Sequence, residues 1–388
     1  MLPDFPECLR VALIVGTRPE AIKMAPLMLA ARGRAALGFR LVATGQQDAL
    51  FDEAIAAFGI TPDVHLGAAA GASLDELRAA LRIWLTAHTP DLVLVQGDTN
   101  TALAGAQAAH ALGIAVGHVE AGLRTHNPER PFPEENNRVA IAQLAKLHFA
   151  PAQRAASNLE RERVRGSVHI TGNPGIDALL MQLVFLRRQE SSGASDYGLL
   201  PTQEHVVVDA RTVNPPQHIL ITCHRRENFG APLLRICTAI RDIAVASPFP
   251  LILPVHPNPN VGDVIRAELA NCPNLSLTAP LSYPAMIAAI RASHFVLSDS
   301  GGLQEECATL GIPLLLMREE TERQELVESG NVRLVGNDAA LILAEAQHLF
   351  GDCAHHARMA VPIFPYGRGD AAVKIITLIE RFAAQHMN

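Results

Sequence analysis

The chain has 388 residues, 49% of them hydrophobic and 18% charged, with a formal charge of −7. That length suits two or three domains, the composition suits a large buried core rather than disorder, and an acidic balance with no long basic run argues against nucleic acid as a partner. The opening stretch, MLPDFPECLRVALIVGTRPE, has no basic segment ahead of an apolar one, and nowhere do about 20 apolar residues run together as a membrane span needs. The expectation is a cytoplasmic protein with no membrane partner. Cys8, Cys223, Cys237, Cys272, Cys307 and Cys353 form no C-x-x-C pair, which reads as reduced thiols and no metal site.

Short apolar runs alternate with helical patterns. Val11 to Val15 predicts a strand ending at Gly16, and a helix follows over Ala21 to Ala31. Phe39 to Ala43, Leu92 to Val95 and Ile114 to Val119 predict further strands, with an alanine-rich helix over Thr101 to Leu112. The pattern restarts with a strand at His218 to Thr222, a helix at Leu233 to Ala246, and strands at Pro250 to Val255, Phe295 to Ser298 and Pro313 to Met317. Apolar runs flanked by helices indicate βαβ units and parallel sheets covered on both faces. The class is therefore α/β, with two doubly wound arrays in tandem and a seam near Gly172 to Asp177. Arg187 to Pro216, with SSGASDYG and Pro215-Pro216, reads as a surface excursion.

Doubly wound sheets bind ligands outside the carboxyl ends of their strands, and polar clusters stand at those ends. Gly16 to Glu20, running on to Lys23, follows a strand and opens a helix, where N–H groups, Arg18 and Lys23 suit an anion. The plainer alternative is a strand–helix turn with a solvated lysine. Neither G-x-G-x-x-G nor G-x-x-x-x-G-K-[ST] occurs, which excludes the usual dinucleotide and P-loop signatures. Gln96 to Asn100 places Asp98 at a strand end, as a site residue or as a helix cap. Gly117 to Thr125 and Arg130 to Arg138 add Glu120, Glu134, Glu135 and arginines. Carboxylates crowded in a partly desolvated cleft raise the pKa of at least one and so suit acid–base work; helix capping and surface ion pairs are the alternative.

In the second array, Thr222 to Asn228 offers His224, Arg225 and Arg226 to a diphosphate. His256, between Val255 and Pro257, also suits a simple turn residue. Ser298 to Glu306 is the most informative segment. Ser300, Gly301 and Gly302 suit a diphosphate at a helix N-terminus, and Glu306 suits ribose hydroxyls; a serine-capped helix with a glycine turn fits the same spacing.

The segments GTRPEAIKMAPL, VQGDTNTALAGA, GHVEAGLRT, FPEENNR, ITGNPGIDAL, CHRRENFG, PVHPNPN, SDSGGLQEE, GIPLLLMREETER and NVRLVG occur in that order, with FPYGRGDA before the last helix. Together they resemble the bacterial non-hydrolysing UDP-N-acetylglucosamine 2-epimerases. The resemblance implies a GT-B fold: two Rossmann-like domains, 1–174 and 175–365, with the site in the cleft between them, and a final helix within 366–388 crossing back to the first. It implies an isomerase of polysaccharide biosynthesis that inverts C2 of UDP-N-acetylglucosamine to give UDP-N-acetylmannosamine. The route is anti elimination of UDP to 2-acetamidoglucal and re-addition, with no bound cofactor, in a homodimer.

By motif, Asp98, Glu120 and Glu134 match the family's catalytic carboxylates, and His224 matches a histidine near the leaving diphosphate. Arg18, Lys23 and Arg225 or Arg226 would stabilise charge on UDP. Ser300, Gly301 and Gly302 match the phosphate loop, Glu306 the ribose contact, and Arg323 a further phosphate or sugar contact. Gln46, Glu134 or Glu135, and His256 match residues of a second, allosteric UDP-N-acetylglucosamine site. The chain departs from the pattern at Ala49, at the alanine-rich Leu66 to Ser73 where an arginine is expected, and at Cys223 in place of glycine. The alternatives are a GT-B glycosyltransferase, a hydrolysing epimerase, a 2-epimerase of a modified UDP-sugar, and a nucleotide-sugar sensor without turnover.

Overall fold

The computed structural model describes residues 8–45, 48–69, 71–192 and 216–386. They form two compact units. Among the described residues, unit 1 takes 8–181, 188–192 and 366–386, and unit 2 takes 182–187 and 216–365.

Unit 1 is built on a seven-stranded parallel sheet. Its strands are β1 (Leu9–Val15), β2 (Leu37–Ala43), β3 (Val64–His65), β4 (Leu92–Gln96), β5 (Ala115–Val119), β6 (Leu147–Ala150) and β7 (Ser167–Ile170). The spatial order is β3-β2-β1-β4-β5-β6-β7. Unit 2 repeats the plan with six strands: β8 (His218–Thr222), β9 (Leu251–Pro254), β10 (Leu275–Thr278), β11 (Ser293–Ser298), β12 (Leu314–Leu316) and β13 (Val332–Leu334), ordered β10-β9-β8-β11-β12-β13. Both are doubly wound. The order reverses between β1 and β4 in unit 1 and between β8 and β11 in unit 2, which is where such sheets open a ligand crevice.

Central strands form because both of their faces are buried. Val11 to Val15 and Leu92 to Val95 are all at most 1% exposed, and uninterrupted apolar runs are the signature of parallel strands covered by helices. Each such Val, Leu or Ile contributes roughly 1.5–3 kcal/mol on burial. The helix Asn100–Ala111 buries Ala102, Ala104, Ala106, Ala108 and Ala109. Its small side chains let it lie close to the sheet: a Cβ on Gly105 would stand 3.0 Å from Val95 Cγ1. That close approach fixes the loop that carries Asp98.

The expected strands and helices all form, with ends moved by a few residues. The excursion expected from Arg187 starts as helix instead, since Pro174–Ser192 is one continuous helix; residues 193–215 lie outside the described residues. The helix Ala371–His386 belongs to unit 1. The N–H groups of Ala371 and Ala372 donate to Asp177 at 3.3 and 2.9 Å, and burial lifts that carboxyl to about 7. All six cysteines are free thiols. Among the described residues, no helix is long and apolar enough to cross a membrane.

Candidate active site

The loops after β1, β4 and β5 meet through buried carboxylates. Glu20, fully buried, accepts from the N–H groups of Gly16 (2.9 Å) and Thr17 (2.7 Å) and from Thr99 Oγ1 (2.5 Å), tying the β1 loop to the β4 loop. Burial raises its pKa and these donors only partly offset that. Thr99, not Asp98, caps the helix Asn100–Ala111, its Oγ1 accepting from Ala102 N at 3.0 Å. Asp98 is thus not needed as a cap. Its carboxylate pairs with the guanidinium of Arg138, whose side chain is 3% exposed, and its carbonyl accepts from Asn137 Nδ2 at 2.8 Å.

Glu120 follows β5 with φ +65°, a left-handed backbone that strains any residue with a Cβ and clusters at functional sites. Gly122, at φ +88°, completes the turn; a Cβ there would stand 2.2 Å from the Ala155 carbonyl oxygen. Glu120 Oε2 takes the ammonium of Lys23, the amide of Gln96 at 2.7 Å and the amide of Asn173 at 3.2 Å. Lys23, with a side chain 12% exposed, is therefore no solvated surface lysine. Sequence reasoning expects mutual repulsion among the carboxylates; the structure instead sets a cation against each, Lys23 against Glu120 and Arg138 against Asp98, with Glu135 a further 3.9 Å neighbour of Arg138. Glu134 opens the helix Glu134–Leu144, while Glu135 turns back to accept from Thr125 N and His126 N at 3.1 and 3.0 Å. Glu135 thus holds a loop. Beneath Asp98, buried His118 donates from Nε2 to the Gly97 carbonyl at 2.7 Å, and burial holds its pKa near 3.

In unit 2 the loops after β8 and β11 converge on Asp299, fully buried. It accepts from the N–H groups of His224 and Arg225, from Asn228 Nδ2 and from Cys223 Sγ, at 2.9–3.3 Å. Burial alone would raise its pKa, but the His224 ring and these donors outweigh it and hold the carboxyl low. Ser300 precedes the helix Gly301–Leu310 without using its hydroxyl as a cap. A Cβ on Gly301 would lie 3.0 Å from Arg225 Nη2 and 3.3 Å from Arg323 Nη1. Two guanidinium groups therefore flank a helix N-terminus, an arrangement that fits a diphosphate. Only glycine leaves that space open, and a Cβ on Gly302 would meet nothing within 4 Å.

Arg323 is 2% exposed and is held by Glu305 (2.6 Å) and Glu322; Glu322 also binds Arg318, which reaches Glu227 at 2.8 Å. Arg226 is exposed. Glu306 accepts from Tyr283 OH at 3.1 Å. His256 accepts from Asn258 N through Nδ1 at 3.2 Å, as a turn residue does, and also stacks on His224 with ring centroids 5.6 Å apart. Gln46 lies outside the described residues, as does the side chain of Ala49. Sequence reasoning passes over the partners: Gln96, Arg138, Asn173, Tyr283 and Asp299. Four of them stand inside the quoted segments, so the signal was present without a role; Tyr283 had none.

The family model described as UDP-N-acetylglucosamine 2-epimerase matches residues 29–380. The chain belongs to the UDP-N-acetylglucosamine 2-epimerase family. A Campylobacter jejuni UDP-N-acetylglucosamine 2-epimerase is 39% identical over 378 residues, covering 95% of this chain and 97% of the relative. A Neisseria meningitidis UDP-GlcNAc 2-epimerase solved bound to UDP-GlcNAc is 35% identical, with a TM-score of 0.86 over 96% of this chain and all of that one. S. aureus MnaA, solved with UDP, is 33% identical, with a TM-score of 0.84 over 98% of each chain. The chain is thus an epimerase, an isomerase with two parallel-sheet units of the GT-B type.

Proposed function

We propose that this epimerase interconverts UDP-N-acetylglucosamine and UDP-N-acetylmannosamine without a bound redox cofactor. One carboxylate among Asp98, Glu120 and Glu134 takes the C2 proton while the C1–oxygen bond to UDP breaks anti to it, leaving 2-acetamidoglucal. UDP then adds back at C1, and a second carboxylate returns a proton to the other face of C2. Because UDP rejoins the sugar, no water is consumed. The observation that carries this reading is the pair of carboxylates at the ends of β4 and β5, each set against a cation, Arg138 for Asp98 and Lys23 for Glu120. A carboxylate so held is oriented, as a proton acceptor must be.

Unit 2 supplies the nucleotide groups in this reading. Ser300, Gly301, Gly302, Arg225 and Arg323 take the diphosphate, Glu306 the ribose, and His224 the leaving oxygen. Glu306 is oriented for that by Tyr283. The family resemblance extends the reading to a cytoplasmic homodimer that feeds polysaccharide assembly.

The test is incubation of the pure protein with UDP-N-acetylglucosamine alone in D2O, followed by NMR. UDP-N-acetylmannosamine carrying deuterium at C2 is expected. Lasting build-up of free sugar would mean a hydrolysing enzyme, and no exchange until an acceptor is added would mean a transferase; either overturns the proposal.

A further inference from the structure

The two unit 2 loops share one carboxylate, and that carboxylate decides where the His224 proton sits. Asp299 Oδ1 lies 3.2 Å from His224 Nδ1. A lone pair on Nδ1 would face an ionised carboxylate, which has no proton to offer it, so the neutral ring keeps its proton on Nδ1 and its lone pair on Nε2. The side chain is 34% exposed. Nδ1 lies against a fully buried carboxylate, and the ring stacks on His256 with centroids 5.6 Å apart. The next residue, Arg225, donates its own N–H to Asp299 and sends its guanidinium to the start of the helix Gly301–Leu310. His224 and the anion site are therefore anchored on the same group. A lone pair facing a phosphate oxygen is repulsive; only the imidazolium can donate to it.

We propose that Asp299 is a positioning residue that fixes the Nδ1–H tautomer of His224, so that binding of a nucleoside diphosphate draws a proton from solvent onto Nε2. This rests on the reading that unit 2 holds UDP. The groups around the ring are Asp299, Arg225, Arg318, Glu227, Cys223 and His256. Burial lowers the His224 pKa; Asp299 and Glu227 oppose that, while Arg225 and Arg318 reinforce it. The unliganded ring is thus neutral near pH 7.5. An added diphosphate beside Nε2 reverses the balance, since a near negative charge favours the cation. The proton comes from buffer on binding and returns to it when UDP leaves. In turnover the imidazolium forms as charge gathers on departing UDP.

Calorimetric titration of UDP at pH 7.5 in Tris, HEPES and PIPES tests this. The second pKa of a phosphate monoester is about 6, so the nucleotide itself is already ionised. The slope of binding heat against buffer ionisation heat gives the protons taken up. Uptake of a sizeable fraction of one proton per UDP is expected in the wild type, and close to none in His224→Gln. Asp299→Asn keeps an oxygen for the backbone donors but turns an N–H toward Nδ1, moving the ring proton to Nε2; there too uptake should vanish while UDP still binds. Zero slope in the wild type, or an unchanged slope in His224→Gln or Asp299→Asn, overturns the inference. A merely structural Asp299 would weaken UDP binding and leave the slope as it is. If Asp299→Asn does not fold, the comparison of wild type with His224→Gln still decides whether the proton goes to His224. A titration flat in every buffer means that UDP does not bind, and overturns the underlying reading as well.

Discussion

Units 1 and 2 share one sheet order and reverse it at equivalent strands, yet the two reversal points carry opposite chemistry. In unit 1 the groups at the strand ends are carboxylates, and the cations Lys23 and Arg138 are spent on them. In unit 2 the groups are guanidiniums, and the carboxylates Asp299, Glu305 and Glu322 are spent on holding loops and arginines. The comparison teaches that topology fixes where ligands are met and says nothing about which charge meets them. That choice lies in a few side chains per loop, and each unit's choice is stabilised by buried counter-charges of the other sign.

If the division of labour is real, it should break cleanly in two directions. Glu120→Gln or Asp98→Asn should lower turnover by about 10²–10⁴-fold, the usual contribution of a positioned acid or base, while UDP binding measured by calorimetry stays within a few-fold of the wild type. Parallel loss of turnover and UDP affinity would mean that unit 1's carboxylates are not confined to proton transfer. Arg225→Ala is the converse. Removing one charged hydrogen-bond donor costs about 1.5–3 kcal/mol, so UDP should bind roughly 10- to 100-fold more weakly. Arg323 is a poorer probe, because its loss removes a cation that buried Glu305 and Glu322 both hold, and breaking such a buried pair costs about 3–5 kcal/mol of stability.

What the sequence discloses follows the same physics. The central strands and the loops at the reversal points are legible because buried parallel strands are uninterrupted apolar runs and their ends are abruptly polar. The short or edge strands are not. β3 has two residues, and β7 and β10 are partly exposed, so neither length nor apolarity marks them. The charges at strand ends can be read from sequence, but their counter-charges cannot. Glu120 meets Lys23 across 97 positions and Asn173 across 53; Asp299 meets His224 across 75. Those pairings exist only after the sheet order is set, which is why the carboxylates read as mutually repelling until the structure supplies their partners.

The smallest effect sharpens the contrast between the buttresses of the two loops. Unit 1 holds the Gly97–Asp98 turn with a neutral imidazole, His118, whereas unit 2 holds its loop with an anion, Asp299. Burial holds His118 near pKa 3, against about 6.5 for an unfolded chain. Between those values the unfolded state binds more protons, so stability rises with pH. The contribution of His118 is complete above about pH 6.5 and is lost progressively as pH falls toward 3, with a slope of at most about 1.4 kcal/mol per pH unit. Asp299, whose pKa is held below 3.8, keeps its contribution until lower pH. Asp177, raised to about 7, works in the opposite sense, since its folded form binds the extra proton between 3.8 and 7, so the slope of the whole protein is no guide. The difference between wild type and His118→Gln is, because glutamine can still donate to the Gly97 carbonyl but cannot titrate. Urea unfolding at pH 7.5 and 5.5 should show a smaller loss of stability on acidification in His118→Gln than in the wild type. Equal losses would show that the imidazole is not what makes the unit 1 loop sensitive to acid.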